Sequence, residues 1–215
     1  MAVHWQEATE LLTTLIRRAI GYDDDGIELY FTSQENMQTP AVKLQKQRVA
    51  DFTRAMGKAR PVAHSYLPQG TDIVPWISMV MGRYLWEKKK PKTIIILTDG
   101  IWQGMNDEYA VDNLIIRNLQ QLKTIHSDTV ANDYISIIEE MRPLTIQFVR
   151  FGQHPHGSDR LQRLDDRLVE HGVEYVTRSV HYFWPDSLFA NGQVGTWWIA
   201  SRRAGTYTRC SWAVC

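Results

Sequence analysis

The sequence predicts an α/β fold, Rossmann-like in layout, in which a mostly parallel sheet carries helices on both faces. Apolar runs typical of strands alternate with segments whose apolar residues recur at helical spacing. The run at 93–98 lacks the alternation of a half-exposed strand, which favours a parallel strand covered on both faces. The 215 residues predict one α/β domain at 1–180 and an irregular C-terminal tail at 181–215.

The elements before the strand at 93–98 are predicted from the spacing of apolar residues and from the glycines that end helices. Apolar residues of the first helix line one face: Trp5, Ala8, Leu12, Leu15 or Ile16, and Ala19. Gly21 ends this helix, and a strand is predicted at 27–32. The second helix closes near Gly57, and its face carries Val49, Phe52, Thr53 and Met56.

The later elements are predicted in the same way. In chain order they are a helix over 73–85, the strand at 93–98, two helices within 107–141, a strand at 144–151, a helix capped by Ser158 and ended by Gly172, and a strand at 173–177. From about Val180 onward no sustained period remains, so the tail is predicted to be irregular.

Charge and cysteine content limit which partners and which cellular location the sequence favours. The 24 basic and 24 acidic residues cancel, so no global field indicates nucleic acid or a membrane surface, and neither is predicted as a partner. The cluster at 86–92 is typical of a solvated helix end. Cys210 and Cys215 leave pairing open but indicate no disulfide framework, which favours an intracellular, cytoplasmic location.

Two oxygen-bearing residues stand where an α/β sheet binds ligands, in the crevice at the carboxyl ends of the strands. Asp99 follows the strand at 93–98, and Thr71 lies in the loop that enters the preceding helix. A carboxylate and a hydroxyl suit magnesium, manganese or calcium rather than zinc. Each also has a plainer explanation, since Asp99 fits a turn and Thr71 fits a helix N-cap.

The order of these segments resembles the von Willebrand factor type A (vWA) domain, in its intracellular form. The resemblance rests on "YDDDGIELYF", "GTDI" opening a helix, "IIILTDG", "LTIQFVRFG" and "DRLQRLDDRL", and it covers roughly residues 5–178. It implies a Rossmann-like fold with a metal-ion-dependent adhesion site (MIDAS) built by three loops. By resemblance, Thr71 and Asp99 match the threonine and aspartate loops of that site.

The third loop of the family's site, Asp-x-Ser-x-Ser after the first strand, does not occur in the sequence. The chain begins at Met1, almost on the first helix, so the resemblance implies an N-terminally incomplete domain whose first, central strand is missing. The strands that flank the gap are expected to pair directly, or the chain to be the remainder of a longer protein. Two ligands hold a hard cation poorly, so Mg²⁺ or Mn²⁺ is expected to bind weakly or not at all.

The resemblance therefore implies a protein-interaction module without enzyme activity, and in the family the protein partner, unknown here, contributes an acidic side chain. Trp102 is a candidate contact residue because it follows "TDGI" and is expected to be exposed beside the site. By resemblance, the loop of His154 lies near the same edge, so His154 is a second candidate, with a plain polar loop as the alternative. Two alternatives stay open: a complete cation-dependent adhesion domain truncated by its start, and an α/β enzyme that uses Asp99 as general acid or base. Self-association through unpaired strands is also possible on this pattern.

Overall fold

The computed structural model describes residues 1–21, 26–33, 39–44, 46–61, 71–87, 91–129, 144–173, 177–180 and 209–214. The described helices are α1 (Trp5–Ala19), α2 (Val49–Lys58), α3 (Val74–Glu87), α4 (Ala110–Thr129) and α5 (Pro155–Glu170), with a 3₁₀ turn at Ala2–His4 before α1. The strands are β1 (Glu28–Phe31), β2 (Lys92–Thr98), β3 (Leu144–Arg150), β4 (Thr177–Val180) and β5 (Arg209–Val214). The fold is therefore mixed α/β.

The five strands form one parallel sheet in the order β1-β5-β2-β3-β4. By the resemblance, a gap is expected between β1 and β2 that closes by direct pairing, but β5 lies there, so those two strands do not pair directly. Trp212 of β5 is in register with Leu29 on one side and with Ile95 on the other. The physical reason is that two rows of buried backbone N–H and C=O groups need partners, and β5 supplies both ladders.

The position of β5 also corrects the prediction for the tail. Residues 209–214 form a strand inside the sheet rather than irregular structure. The rest of the predicted tail, 181–208 and Cys215, lies outside the described residues.

The sheet has an apolar core on each face. Ile94, Ile96 and Phe148 pack with α3, α4 and α5, whereas Ile95 and Leu97 pack with α1 and α2. Successive side chains of a strand point to opposite faces, so a strand covered on both sides must be apolar at every position. This two-sided burial explains the unbroken apolar run in β2.

Two boundaries differ from the prediction. Helix α5 begins at Pro155, so Ser158 lies in its first turn and is not the cap; the carbonyl oxygen of His154 accepts the N–H groups of Gly157 and Ser158 at 3.0 and 3.2 Å. Proline suits the first helical position because its fixed φ is already helical and its missing N–H would have had no helical partner. Strand β4 lies at 177–180, beyond the predicted 173–177, of which 174–176 lie outside the described residues.

The two helices predicted within 107–141 are separated by a predicted break near "HSDTVAND", 126–133. Helix α4 instead runs without a break from Ala110 to Thr129, past the start of that segment. Residues 130–143, which contain the rest of that break and the second predicted helix, lie outside the part of the chain that the structure describes. Among the helices that are described, none combines the length and the apolar character needed to cross a membrane.

Candidate functional site

The candidate site lies at the carboxyl edge of the sheet, where β2 and β3 end. The N–H of Phe151 donates to the carbonyl oxygen of Thr98 at 2.8 Å and ties the two strand ends together. Asp99 and Gly100 follow β2, and Gly100 has φ +76, a conformation that favours glycine. A Cβ on Gly100 would lie 2.7 Å from Cα of Gly157, so the first turn of α5 rests directly on this loop.

Thr98 is fully buried and organises the loop from within. Its Oγ1 accepts the N–H of Gly100 and the indole N–H of Trp102, both at 2.9 Å. Trp102 also packs against Phe148, with ring centroids 6.0 Å apart. Only 3% of Trp102 is exposed, so the expectation of an exposed contact residue is wrong: the indole finds a hydrogen-bond acceptor and an aromatic neighbour inside the core.

Asp99 uses both carboxylate oxygens within the chain. Oδ1 accepts the N–H of Ile101 at 3.1 Å, in the manner of an Asx turn. Oδ2 accepts from the α-ammonium group of Met1, and the Asp99 side chain is 17% exposed. The predicted turn role of Asp99 is therefore present, and a cationic group already contacts its second oxygen.

Thr71 and Asp99 belong to loops that the structure joins. The carbonyl oxygen of Thr71 accepts the N–H of Gly104, in the loop after β2, at 3.3 Å. The plainer explanation of Thr71 as a helix cap does not hold, because α3 begins at Val74 and Oδ1 of Asp72 accepts the Val74 N–H at 2.9 Å. The two loops predicted to meet at the site are thus neighbours.

These residues do not fit a tightly held Mg²⁺ or Mn²⁺. They offer one carboxylate, whose two oxygens are already bonded, and one threonine. Within the described ranges, no group of three or more His, Cys, Asp or Glu side chains is arranged to hold a metal ion. Hard cations need about six or more oxygen ligands, and neutral carbonyl and hydroxyl groups alone supply little charge.

Histidines border the site on two sides. His154 is exposed at the start of α5, and its ring centroid lies 5.3 Å from that of His156, so the predicted contact residue is accessible. His4 was not found from the sequence. Its Nδ1 lies 3.2 Å from a carboxylate oxygen of Glu7, and its ring stacks on Phe151 with centroids 6.4 Å apart. No local pattern marks it, because its stacking on Phe151 depends on tertiary packing.

A row of arginines on α5, which sequence reasoning also missed, lies beside the loop after β2. Arg167 Nη1 donates to Oδ2 of Asp112 at 3.2 Å, and Arg163 Nη1 donates to Oε2 of Glu108 at 3.1 Å. Both guanidinium groups lie over the ring of Tyr109, at 4.6 Å for Arg163 and 5.0 Å for Arg167. The sequence signal was the i, i+3, i+7 spacing of three arginines on one helix face.

Asp112 is the buried anion of this row. Its side chain is 1% exposed, and Oδ1 has no hydrogen-bond partner in the described part of the chain. Burial raises the pKa of Asp112, while the hydrogen bond from Arg167 and the charges of Arg163 and Arg167 act in the opposite direction. The effect of burial on the pKa of Asp112 is therefore larger than the opposing effect of the two arginines.

The first arginine of the row, Arg160, differs from the other two. Its guanidinium carbon lies 5.2 Å from the centre of the Trp102 ring, and its buried Nη1 has no hydrogen-bond partner among the described residues. Burial lowers the pKa of Arg160, and the positive charge of Arg163 lowers it further, against the opposing charges of Asp112 and Glu108. Within the described ranges, Arg160 is thus a cation held in place without a bonded anion.

Comparisons with protein-family models, with curated proteins and with solved structures gave no match.

Proposed function

We propose that this chain is a protein-interaction module of vWA type, Rossmann-like in layout, with a degenerate metal-ion-dependent adhesion site. The contact with its partner is made at the carboxyl edge of the sheet and does not require a bound metal. The proposal combines the resemblance in segment order with the loops that meet at that edge.

Three features support the placement of the contact at this edge. The sheet is parallel, so all its carboxyl ends lie on one side, where α/β proteins bind ligands. The loops of Thr71 and Asp99 are joined by the Thr71–Gly104 hydrogen bond. His154 is exposed at the same edge, at the start of α5.

The observation that carries the metal-independent form is the bonding of Asp99. Oδ1 is engaged by the backbone N–H of Ile101, and in the described part of the chain no group of three or more His, Cys, Asp or Glu side chains is arranged around a metal position. By the resemblance, the strand that precedes the Asp-x-Ser-x-Ser loop lies in the centre of the sheet. In this chain β5 lies in that position, and residues 209–214 contain no acidic residue. Residues 209–214 therefore contribute no acidic side chain of the kind that a divalent cation needs.

Site-specific photo-crosslinking tests the proposal. A photoreactive amino acid replaces His154 at the proposed contact edge, and in a matched variant it replaces Trp86, which is 89% exposed at the far end of α3. Both proteins are exposed to a lysate of the source cells in EDTA. We expect one discrete crosslinked partner from position 154 and none of the same mass from position 86.

Two outcomes contradict this proposal. Crosslinking at position 154 that requires added Mg²⁺ or Mn²⁺ and disappears with EDTA would favour a cation-dependent adhesion domain instead. Equal crosslinking of the same partner from positions 86 and 154 would remove the carboxyl edge as the specific contact surface.

A further inference from the structure

Arg160 lies one helical turn from the loop contact at the candidate site. A Cβ added to Gly157 would lie 2.3 Å from the carbonyl oxygen of Asp99, which fixes the first turn of α5 against that loop. Residues at i and i+3 share a helix face, so Arg160 follows Gly157 on the same side, about 4.5 Å further along the axis. Trp102, over which Arg160 lies, belongs to the same loop as Asp99.

The hydrogen bonds that the row's carboxylates accept come from the other two arginines, and Oδ1 of Asp112 has no hydrogen-bond partner in the described part of the chain. Glu108 accepts from Arg163 at 3.1 Å, and Asp112 accepts from Arg167 at 3.2 Å and lies 3.9 Å from Nε of Arg163. Arg160 contacts an indole face instead, and that contact satisfies none of the N–H donors of its guanidinium group. Of the three arginines, Arg160 is the one without a hydrogen-bonded carboxylate among the described residues, and Asp112 and Glu108 act on it through their charges alone.

A partly buried guanidinium without an anion is unfavourable, because burial removes water without supplying an acceptor. The like charge of Arg163 adds to this cost. The contact with the Trp102 ring keeps the planar guanidinium group of Arg160 oriented. A guanidinium held in one orientation can donate two parallel N–H bonds to the two oxygens of a carboxylate. An anionic group from outside the chain would supply an acceptor to the guanidinium and would offset the repulsion from Arg163.

We propose that Arg160, held over Trp102, is an anion subsite that binds a carboxylate group of the partner beside the carboxyl edge of the sheet. This inference rests on the proposed function and names its partner chemistry: an acidic side chain recognised by an arginine in place of a metal ion.

The direct test is a titration of the full chain with sodium acetate, with NaCl replaced so that ionic strength stays constant. The readout is the indole N–H resonance of Trp102 in ¹H–¹⁵N spectra, assigned with Trp102→Phe. We expect a saturable shift with acetate that is lost in Arg160→Gln and kept in Arg117→Gln, a matched exposed arginine on α4. A shift of equal size in Arg160→Gln would overturn the proposal. So would a response to inorganic phosphate without one to acetate, which would make this a phosphate site.

Thermal unfolding supplies a second and independent readout. Because Arg160 has no bonded anion among the described residues, Arg160→Leu is expected to keep or raise the midpoint of unfolding. Arg167→Leu removes the hydrogen-bonded partner of buried Asp112 and is expected to lower the midpoint. A loss in Arg160→Leu as large as that in Arg167→Leu would show that Arg160 is already paired within the chain, and the subsite would be excluded.

The two proposals fail in different ways. If the crosslink from position 154 forms equally in the Arg160→Gln background, the edge binds its partner but Arg160 is not the recognition residue. If acetate binding depends on Arg160 and position 154 captures no partner, the anion subsite stands and the proposed interaction function is wrong.

Discussion

Lys92 and Glu28 form an ion pair across the strand that lies between them. Nζ of Lys92 is 3.4 Å from Oε2 of Glu28, and both side chains are 3% exposed. Lys92 belongs to β2 and Glu28 to β1, and these strands flank β5. The pair therefore connects two strands that share no backbone ladder, at the end of the sheet opposite the candidate site.

Breaking this pair should be costly. Lys92→Met leaves the Glu28 carboxylate buried without its lysine, and we expect a loss of about 3–5 kcal/mol in the free energy of unfolding. The double variant Lys92→Met with Glu28→Gln should recover part of that loss, because the buried side chain that lost its lysine is then uncharged. Urea unfolding measures both. Arg48→Gln, at an exposed pair with Asp51, is the control and should change stability by less than about 1 kcal/mol. A loss in Lys92→Met no larger than in the control would contradict the buried pair.

The register of β5 is testable through its own cysteine. Cys210 is in register with Thr93 of β2, and adjacent strands are about 4.8 Å apart, within the span of a disulfide. In a Cys215→Ser background, Thr93→Cys should oxidise to an intrachain disulfide, seen by mass spectrometry after digestion. Thr145→Cys is the matched control, because Thr145 pairs with Thr93 from β3, one strand further away. Equal crosslinking in both variants, or none in Thr93→Cys, would refute the placement of β5.

The contact between α5 and the Asp99 loop requires a glycine. A Cβ on Gly157 would lie 2.3 Å from the Asp99 carbonyl oxygen, so Gly157→Ala should lower the free energy of unfolding by about 1–3 kcal/mol. Gly82, in the middle of α3, has open space where a Cβ would be added, with no neighbour within 4 Å, and Gly82→Ala should raise stability by about 0.5–1 kcal/mol. Opposite signs in chemical unfolding confirm the close approach; two stabilising substitutions would disprove it.

The burial of Asp112 predicts a pH dependence of definite sign. Since its pKa in the folded chain is raised, the folded state binds the proton more tightly than the unfolded state. The contribution of Asp112 to stability is therefore most favourable below the ordinary value of 3.8 and is lost as pH rises through the raised pKa. Asp112→Asn should gain stability relative to the parent as pH rises across that window. Urea unfolding of both proteins from about pH 3 to 7 measures the difference in their free energies of unfolding. If Asp112→Asn instead loses stability relative to the parent as pH rises, the charges of Arg163 and Arg167 outweigh the burial of Asp112.

Local patterns predicted the elements whose apolar faces are continuous in sequence. The face of α1 and the buried run of β2 are both present, because a helix face or a doubly covered strand needs a repeating set of apolar residues. The loop of Thr71 contacts the loop after β2 through Gly104, and the pairing of Thr71 with Asp99 in one site stays a prediction. These features depend on spacing within one segment and on the rule that parallel strands end at one edge.

The features that escaped prediction depend on partners far away in the chain. The strand character of β5 comes from its two neighbours, since residues 209–214 alone show no sustained alternation. The burial of Trp102 depends on Thr98 and Phe148, and a lone indole in a loop carries no sign of either. The arginine row was visible as a spacing, but its buried anion Asp112 belongs to another helix.

The position of β5 has a consequence for how the chain matures during translation. Glu28 pairs with Ser211, so β1 emerges from the ribosome long before the strand on which its ladder depends. Pairings between residues so far apart in sequence form slowly, and unpaired strands are prone to association while they wait. The nascent chain therefore carries an incomplete sheet while residues 32–208 are made, and we expect it to need chaperone protection until residues 209–214 are available.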